Sequence, residues 1–200
     1  MVAFSQRERL LAATVAVVAE RGYNAATIAA ISDVASVSRR TFYENFAGKE
    51  ECFLATYDAL DGYFDKLLEE AIGEASEWPE QAAAALASLL RFLASRPDIA
   101  RVYLVEATVA GQALAQRREQ SAERYIDLLE RGREYRTDTP QALTEGLAEA
   151  LVGGIVTLLG RRIVAGESTE LAAFAPSLVE FALSPYIGPD AARSLAAQFS

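Results

Sequence analysis

Residues 22–53 read GYNAATIAAISDVASVSRRTFYENFAGKEECF. Two short apolar-periodic segments follow one another here with almost nothing between them. Thr27 is a good N-cap for the first, which places Ile28, Ile31 and Val34 on one side. Ser36-Val37 is a brief break, and Ser38 is placed to cap a second short helix through about Asn45, with Phe42 and Phe46 one turn apart. Ala47-Gly48 ends it. Upstream, Ser5-Gln6-Arg7-Glu8 has the S-x-x-E form of a capping box, Leu11, Val15 and Val18 repeat at helical spacing, and Gly22 supplies a stop, which predicts a first helix over roughly 5–21. Three helices with a tight turn between the second and third predict a helix-turn-helix.

The rest of the chain reads helical too. A stripe of Phe53, Tyr57, Leu60, Phe64 and Leu67 predicts a long helix from Lys49 to about Gly73. Trp78-Pro79 opens the next, which runs to Ala94. Ser95-Arg96-Pro97 opens one or two helices over 97–109, and residues 111–135 form a longer one. Thr139-Pro140 is a cap-plus-proline start for a helix reaching about Ala165. Ser168 or Thr169 caps a last major helix with Leu171, Phe174, Leu178 and Phe181 inside, stopped by Pro185. The expectation is an all-α chain of about nine helices.

Composition narrows the chemistry. The 200 residues are 52% apolar, ample for a sizeable core, and include one cysteine, Cys52, and no histidine. Cys/His metal clusters and His-based triads are thereby excluded, and no phosphate loop or nucleophile–base pair is recognisable, so neither an enzyme nor a cofactor is expected. Charges inside MVAFSQRERLLAA argue against a signal peptide, and the longest strongly apolar run, Leu151 to Leu159, is too short to cross a bilayer. A cytoplasmic protein without a membrane partner is expected. The net charge is −9, yet residues 1–50 carry six Lys/Arg against five Asp/Glu, while the remainder carries 13 against 23. Phosphate would be repelled everywhere except the first quarter.

That quarter has the right chemistry for DNA. A third helix entering the major groove presents residues from its N-terminal half. Arg39 and Arg40 suit guanine or phosphate, Thr41 a base or a thymine methyl, and Tyr43 a phosphate. Helical geometry puts Phe42 and Phe46 on one face, Arg40 nearly opposite Phe42, and Tyr43 well away from it.

The skeleton Thr27-Ile28, Ile31, Ala35, Val37-Ser38, Thr41-Phe42-Tyr43, Phe46 and Lys49-Glu50 resembles the DNA-binding signature of the TetR/AcrR family of transcriptional repressors. The resemblance covers about a quarter of the chain. It implies a helix-turn-helix DNA-binding domain over 1–47 and a larger helical ligand-binding and dimerisation domain over 48–200. It implies a homodimer on a pseudo-palindromic double-stranded operator, released by a small-molecule effector. Ser38, Arg39, Arg40, Thr41, Tyr43 and Asn45 fall at family DNA contacts, and Thr27 and Lys49 at phosphate-contacting helix starts. Ser36 stands for the usual turn glycine, Ser32 for a small apolar residue, Asn45 for His or Tyr, and Glu44 is an acid on the reading helix that either accepts from a cytosine or pairs with Arg40. A helical ligand-binding or adaptor protein that has lost operator binding is the alternative, with Glu44 and Ser36 as its signs.

In the larger domain Tyr57, Phe64, Phe92, Tyr103 and Tyr125 are core residues or walls of a ligand pocket. Glu106, alone in VYLVEATVAG, faces a ligand or pairs with a neighbouring arginine. The resemblance further implies a dimer interface from the last two major helices, which here carry Leu151, Gly153, Gly154, Leu158, Phe174, Leu178 and Phe181. Close helix approach at Gly153-Gly154, a kink or a tight internal contact are all open. Cys52 reads as a buried small hydrophobe.

Overall fold

The computed structural model describes residues 5–135 and 144–199. Helices α1 (Gln6–Arg21), α2 (Ile28–Ala35), α3 (Arg39–Asn45), α4 (Lys49–Gly73), α5 (Trp78–Ser95), α6 (Pro97–Leu104), α7 (Gln112–Glu130), α8 (Gly132–Tyr135), α9 (Leu147–Val164), α10 (Ala175–Ile187) and α11 (Pro189–Ala196) follow in order, with 3-10 turns at Glu106–Thr108, Ser168–Phe174 and Ala197–Phe199. No strand occurs among the described residues.

The chain divides into two compact units. The first comprises Met1–Gly62 and Asp98–Arg118, the second Tyr63–Pro97 and Glu119–Ser200. The segment 1–47 lies wholly in the first.

Local chemistry sets the helix starts of the first unit. Ser5 and Glu8 close a reciprocal capping box at α1, and those donated hydrogen bonds hold the Glu8 carboxyl below its ordinary value. Thr27 Oγ1 accepts from the Ala30 N–H at 3.2 Å, and Ser38 Oγ from the Thr41 N–H at 3.0 Å. Leu10, Val17, Val18, Ile31, Phe42, Phe46, Cys52 and Phe53 make the buried interior. Burying these side chains stabilises by roughly 1.5–3 kcal/mol each for the larger ones, enough to hold three helices that are too short to persist alone.

In the second unit, Trp78, Leu128, Leu129, Leu151, Val152, Val179, Leu183 and Tyr186 share one core. Trp78 donates from its indole N–H to the Leu128 carbonyl at 2.7 Å. Gly132 is required there: a Cβ on it would lie 2.3 Å from the Trp78 ring and 2.8 Å from that of Tyr186. This close approach accompanies a break that separates α7 from α8, where one helix over 111–135 was expected.

Three further expectations are corrected. The helix assigned to a Thr139-Pro140 start begins at Leu147, behind Gly146 in the left-handed region at φ 73°; Thr139 and Pro140 lie outside the described residues. Neither Ser168 nor Thr169 caps the last long helix. Residues 168–174 form a 3-10 segment, and α10 starts at Ala175. Pro185 lies inside α10 rather than ending it, because the buried Leu183 and Tyr186 on either side hold that turn in the core. Beyond it Gly188-Pro189 opens α11, an element the sequence reading omitted.

Candidate nucleic-acid interface

The reading helix α3 separates its faces cleanly. Phe42 and Phe46 are buried, 0% and 2% exposed, with ring centroids 5.9 Å apart. Ser38, Arg39, Arg40, Tyr43 and Glu44 are exposed, and Thr41 is half-buried. Arg39 enters no ion pair among the described residues. Tyr43, 58% exposed, sits edge-on to Phe42 at 5.6 Å, which steadies its ring. Glu44 pairs with Arg40: its Oε1 accepts from Arg40 Nε at 3.0 Å.

The turn ahead of α3 is held by a device the sequence reading missed. Ser36 takes φ 52°, the one non-glycine residue with positive φ among those described. Its N–H donates back to Asp33 and Ser32 carbonyls. Arg9, from α1, donates through Nη2 to the carbonyls of Ala35 and Ser36, the latter at 2.8 Å. A charge-assisted bond to the C-terminal carbonyls of α2 suits the negative end of that helix. No sequence spacing marks Arg9 for this, since its partners lie 26 and 27 residues away. Ser36 therefore does not signal decay of the motif; the conformation that glycine takes easily is held here by tertiary hydrogen bonds.

Two predicted contacts are otherwise engaged. Asn45 donates from Nδ2 to the Thr41 carbonyl at 2.8 Å, so its amide folds back along α3. The Lys49 ammonium donates to the Tyr23 carbonyl at 2.8 Å and lies 4.4 Å from the centre of the Tyr23 ring. In this arrangement Lys49 fastens the loop between α1 and α2 to the start of α4. Thr27 caps α2 with its side-chain oxygen and leaves its own position exposed.

Glu106 completes that fastening. Its carboxylate accepts from Arg101 Nη2 at 2.9 Å through one oxygen and from the Tyr23 N–H at 2.9 Å through the other. The arginine pairing holds, and the carboxylate is occupied without a ligand. Gly22, at φ 81°, passes close by: a Cβ there would stand 3.4 Å from the same carboxylate.

The six candidate pocket residues fall into different surroundings. In the first unit Tyr57 and Tyr103 are buried and stack at 4.6 Å with 7° between planes, and the Tyr103 hydroxyl donates to Asp61. Burial, reinforced by Tyr57 and Asp61, pushes the Tyr103 phenol far above its ordinary value, so it stays a donor. In the second unit Phe64 meets Phe92 edge-on at 5.4 Å, and Tyr63, 47% exposed, tilts over Phe92 at 4.7 Å. Tyr125 packs, half-buried, against the core of that unit.

Of the candidate interface residues, Leu151 and Leu178 are buried within their own unit, while Leu158 and Phe174 are half-buried. Phe174 is covered by the Arg162 guanidinium at 4.2 Å. Gly153, Gly154 and Phe181 are exposed. A Cβ at either glycine would meet nothing within 4 Å, which removes the tight internal contact as their explanation. Cys52 is fully buried, its Sγ 3.2 Å from Thr14 Oγ1, and burial pushes its thiol up to about 11.

Among the described residues no group of three or more His, Cys, Asp or Glu is placed to hold a metal ion, and no helix is long and apolar enough to cross a membrane.

Residues 10–56 match the family model of bacterial regulatory proteins, tetR family. Over 163 residues the chain is 25% identical to the fatty acid metabolism regulator protein of Bacillus subtilis (strain 168), covering 81% of this chain and 79% of that one. The structure is similar to the fatty acid degradation regulator FadR from Bacillus halodurans, with TM-score 0.80 and 19% identity over 92% of this chain and 97% of that one. It is also similar to the transcriptional regulator FadR from Bacillus subtilis in complex with stearoyl-CoA, at TM-score 0.76 and 22% identity over 90% and 97%. A TetR-like transcriptional regulator from Rhodococcus sp. RHA1 follows at TM-score 0.72 and 24% identity over 94% and 99%.

Proposed function

We propose that this chain, a member of the TetR family of bacterial regulatory proteins, is a homodimeric repressor that reads a pseudo-palindromic operator with α3 and releases it on binding an acyl-CoA. The observation that carries the reading is the cationic outer face of α3. Arg39, Arg40 and Tyr43 project from a helix anchored by two buried phenylalanines, at the front of a chain whose later residues are strongly acidic. Such a face steers the protein onto DNA in one orientation only. Arg39 and Tyr43 are assigned to phosphates, Arg40 and Thr41 to base edges, and Ser38 to capping the helix that carries them.

Dimerisation is assigned to α9 and α10. Interior glycine costs roughly 1 kcal/mol relative to alanine in a helix, and among the described residues nothing comes within 4 Å of a Cβ at Gly153 or Gly154 to offset that. A second copy lying close against the exposed α9 face would, and the exposed Phe181 of α10 adds apolar surface for the same contact. Paired α3 helices must then match the spacing of two half-sites about 34–36 Å apart, or a multiple of it, so a small change in their separation weakens binding. Helix α4 contributes residues to both compact units and is the element assigned to transmit that change.

The acyl-CoA assignment rests on the relatives: one is a fatty acid metabolism regulator, and a structural neighbour was captured with stearoyl-CoA. Regulation in the cytoplasm and the absence of catalysis belong to the same reading. It is tested by a mobility shift on the DNA upstream of the protein's own reading frame, titrated with stearoyl-CoA, free coenzyme A or stearate. Release by stearoyl-CoA alone is the expected result. A complex indifferent to all three removes the effector class, and the absence of any complex removes the operator function.

A further inference from the structure

Glu44 is the residue on the reading helix that the operator contacts above leave without a role. It stands one turn after Arg40, its side chain 55% exposed, with Oε1 bonded to Arg40 Nε. A carboxylate on a DNA-facing helix repels phosphate, so its presence lowers affinity for any duplex. The geometry supplies a compensating use. A guanidinium has five N–H donors, one on Nε and four on the two Nη atoms. Glu44 occupies the Nε donor and leaves the Nη1–Nη2 end of the fork open. Paired donors of this kind match O6 and N7 of guanine.

Among the described residues no other side chain bonds that fork. Arg40 is 88% exposed, and Glu44 is its one ion-pair partner among the described residues. A free arginine of this length loses rotamer freedom on docking and is equally suited to the nearest phosphate. An acid at its Nε limits its rotamers beforehand and disfavours phosphate beside it.

Resting on the DNA-reading function proposed above, we propose that Glu44 is a positioning residue for sequence recognition. It holds the Arg40 guanidinium end-on toward a guanine in each operator half-site. Affinity for DNA in general is lowered, and discrimination at one base pair is raised.

Selection from a random duplex pool by the full-length protein tests this, run in parallel with Arg40→Ala, Glu44→Ala and Glu44→Gln. The wild-type consensus and its single-base variants are then bound to each protein and followed by fluorescence anisotropy. The wild type is expected to select a guanine whose preference Arg40→Ala abolishes. Glu44→Ala should lose about tenfold in discrimination at that same base pair while binding an unrelated duplex several-fold more tightly. Glu44→Gln retains an acceptor for Nε and should keep part of the preference. Both residues are exposed, and circular dichroism and sizing confirm that the variants fold and assemble as wild type.

If Glu44→Ala tightens every duplex equally and leaves the guanine preference intact, Glu44 is a plain surface charge and the proposal fails. A preference lost at a different base pair, a cytosine, makes Glu44 a reader in its own right and also overturns it. A wild-type consensus without a guanine sensitive to Arg40 refutes the positioning role alone. Failure of the wild type to select any sequence refutes the DNA-reading function beneath it.

Discussion

Replacing Glu106 by alanine should loosen the first unit by an amount the structure allows to be worked out. The carboxylate is 8% exposed and links Arg101 to the Tyr23 N–H, each at 2.9 Å. Deleting it leaves the part-buried Tyr23 N–H without an acceptor, at a cost of about 1–3 kcal/mol. Breaking a fully buried pair costs about 3–5 kcal/mol. Arg101 is 40% exposed, however, so its guanidinium rehydrates and that contribution shrinks to about 1 kcal/mol or less. The sum is about 1–4 kcal/mol, which for a chain of this size lowers Tm by about 2–16 °C. Glu106→Gln keeps an acceptor for Tyr23 and should cost only about 1 kcal/mol. Urea and thermal unfolding of the two variants measure this, and a double-mutant cycle with Arg101→Ala isolates the pair, with about 1 kcal/mol of coupling expected. An alanine variant within about 0.5 kcal/mol of wild type would refute the fastening role, since that is the range of an ordinary surface change.

Three further outcomes follow from single contacts. The Ser32 hydroxyl is buried with no hydrogen-bond partner among the described residues, so Ser32→Ala should stabilise the protein by about 1 kcal/mol in urea unfolding; a destabilised variant would show that the hydroxyl is satisfied. Gly132→Ala drives a methyl to 2.3 Å from the Trp78 ring and should destabilise by about 1–3 kcal/mol, with altered Trp fluorescence; an unchanged Tm contradicts the close approach. The Cys52 thiol, raised to about 11 by burial, should resist a disulfide reagent at pH 8 in the native protein and react at once in denaturant. Because the folded thiol keeps its proton to higher pH than the unfolded one, stability falls as pH climbs from about 9 toward 11; rapid native labelling contradicts this burial.

The reading unit was legible in the sequence because its boundaries are written in single residues. Ser5, Thr27 and Ser38 each cap the helix their position announces, and the alternation of Phe42 and Phe46 with Arg40 and Tyr43 decides which face is buried. Elements governed by tertiary contact were less legible. Pro185 reads as a stop, yet the helix continues because its neighbours are buried. Ser168 reads as a cap, yet it sits buried in a 3-10 segment. The fastening of the α1–α2 loop is of the same kind. Glu106 was conspicuous as a lone acid in an apolar run and its pairing with an arginine was foreseen, but its second partner is a backbone N–H 83 residues away, and backbone donors leave no trace in a sequence. Lys49 and Asn45 sit at positions the family resemblance gives to DNA, and in this chain they are held by Tyr23 and Thr41.

The operator function of the α3 face is tested most directly by the salt dependence of binding to a selected operator, measured by anisotropy from 50 to 200 mM salt for wild type and Arg40→Ala. Wild-type affinity should fall by at least about 100-fold across that range, as expected when several phosphates are neutralised. Arg40→Ala should remain dimeric and lose operator preference. An affinity insensitive to salt, or an Arg40→Ala variant that binds the operator as wild type does, contradicts the assignment of DNA reading to this face.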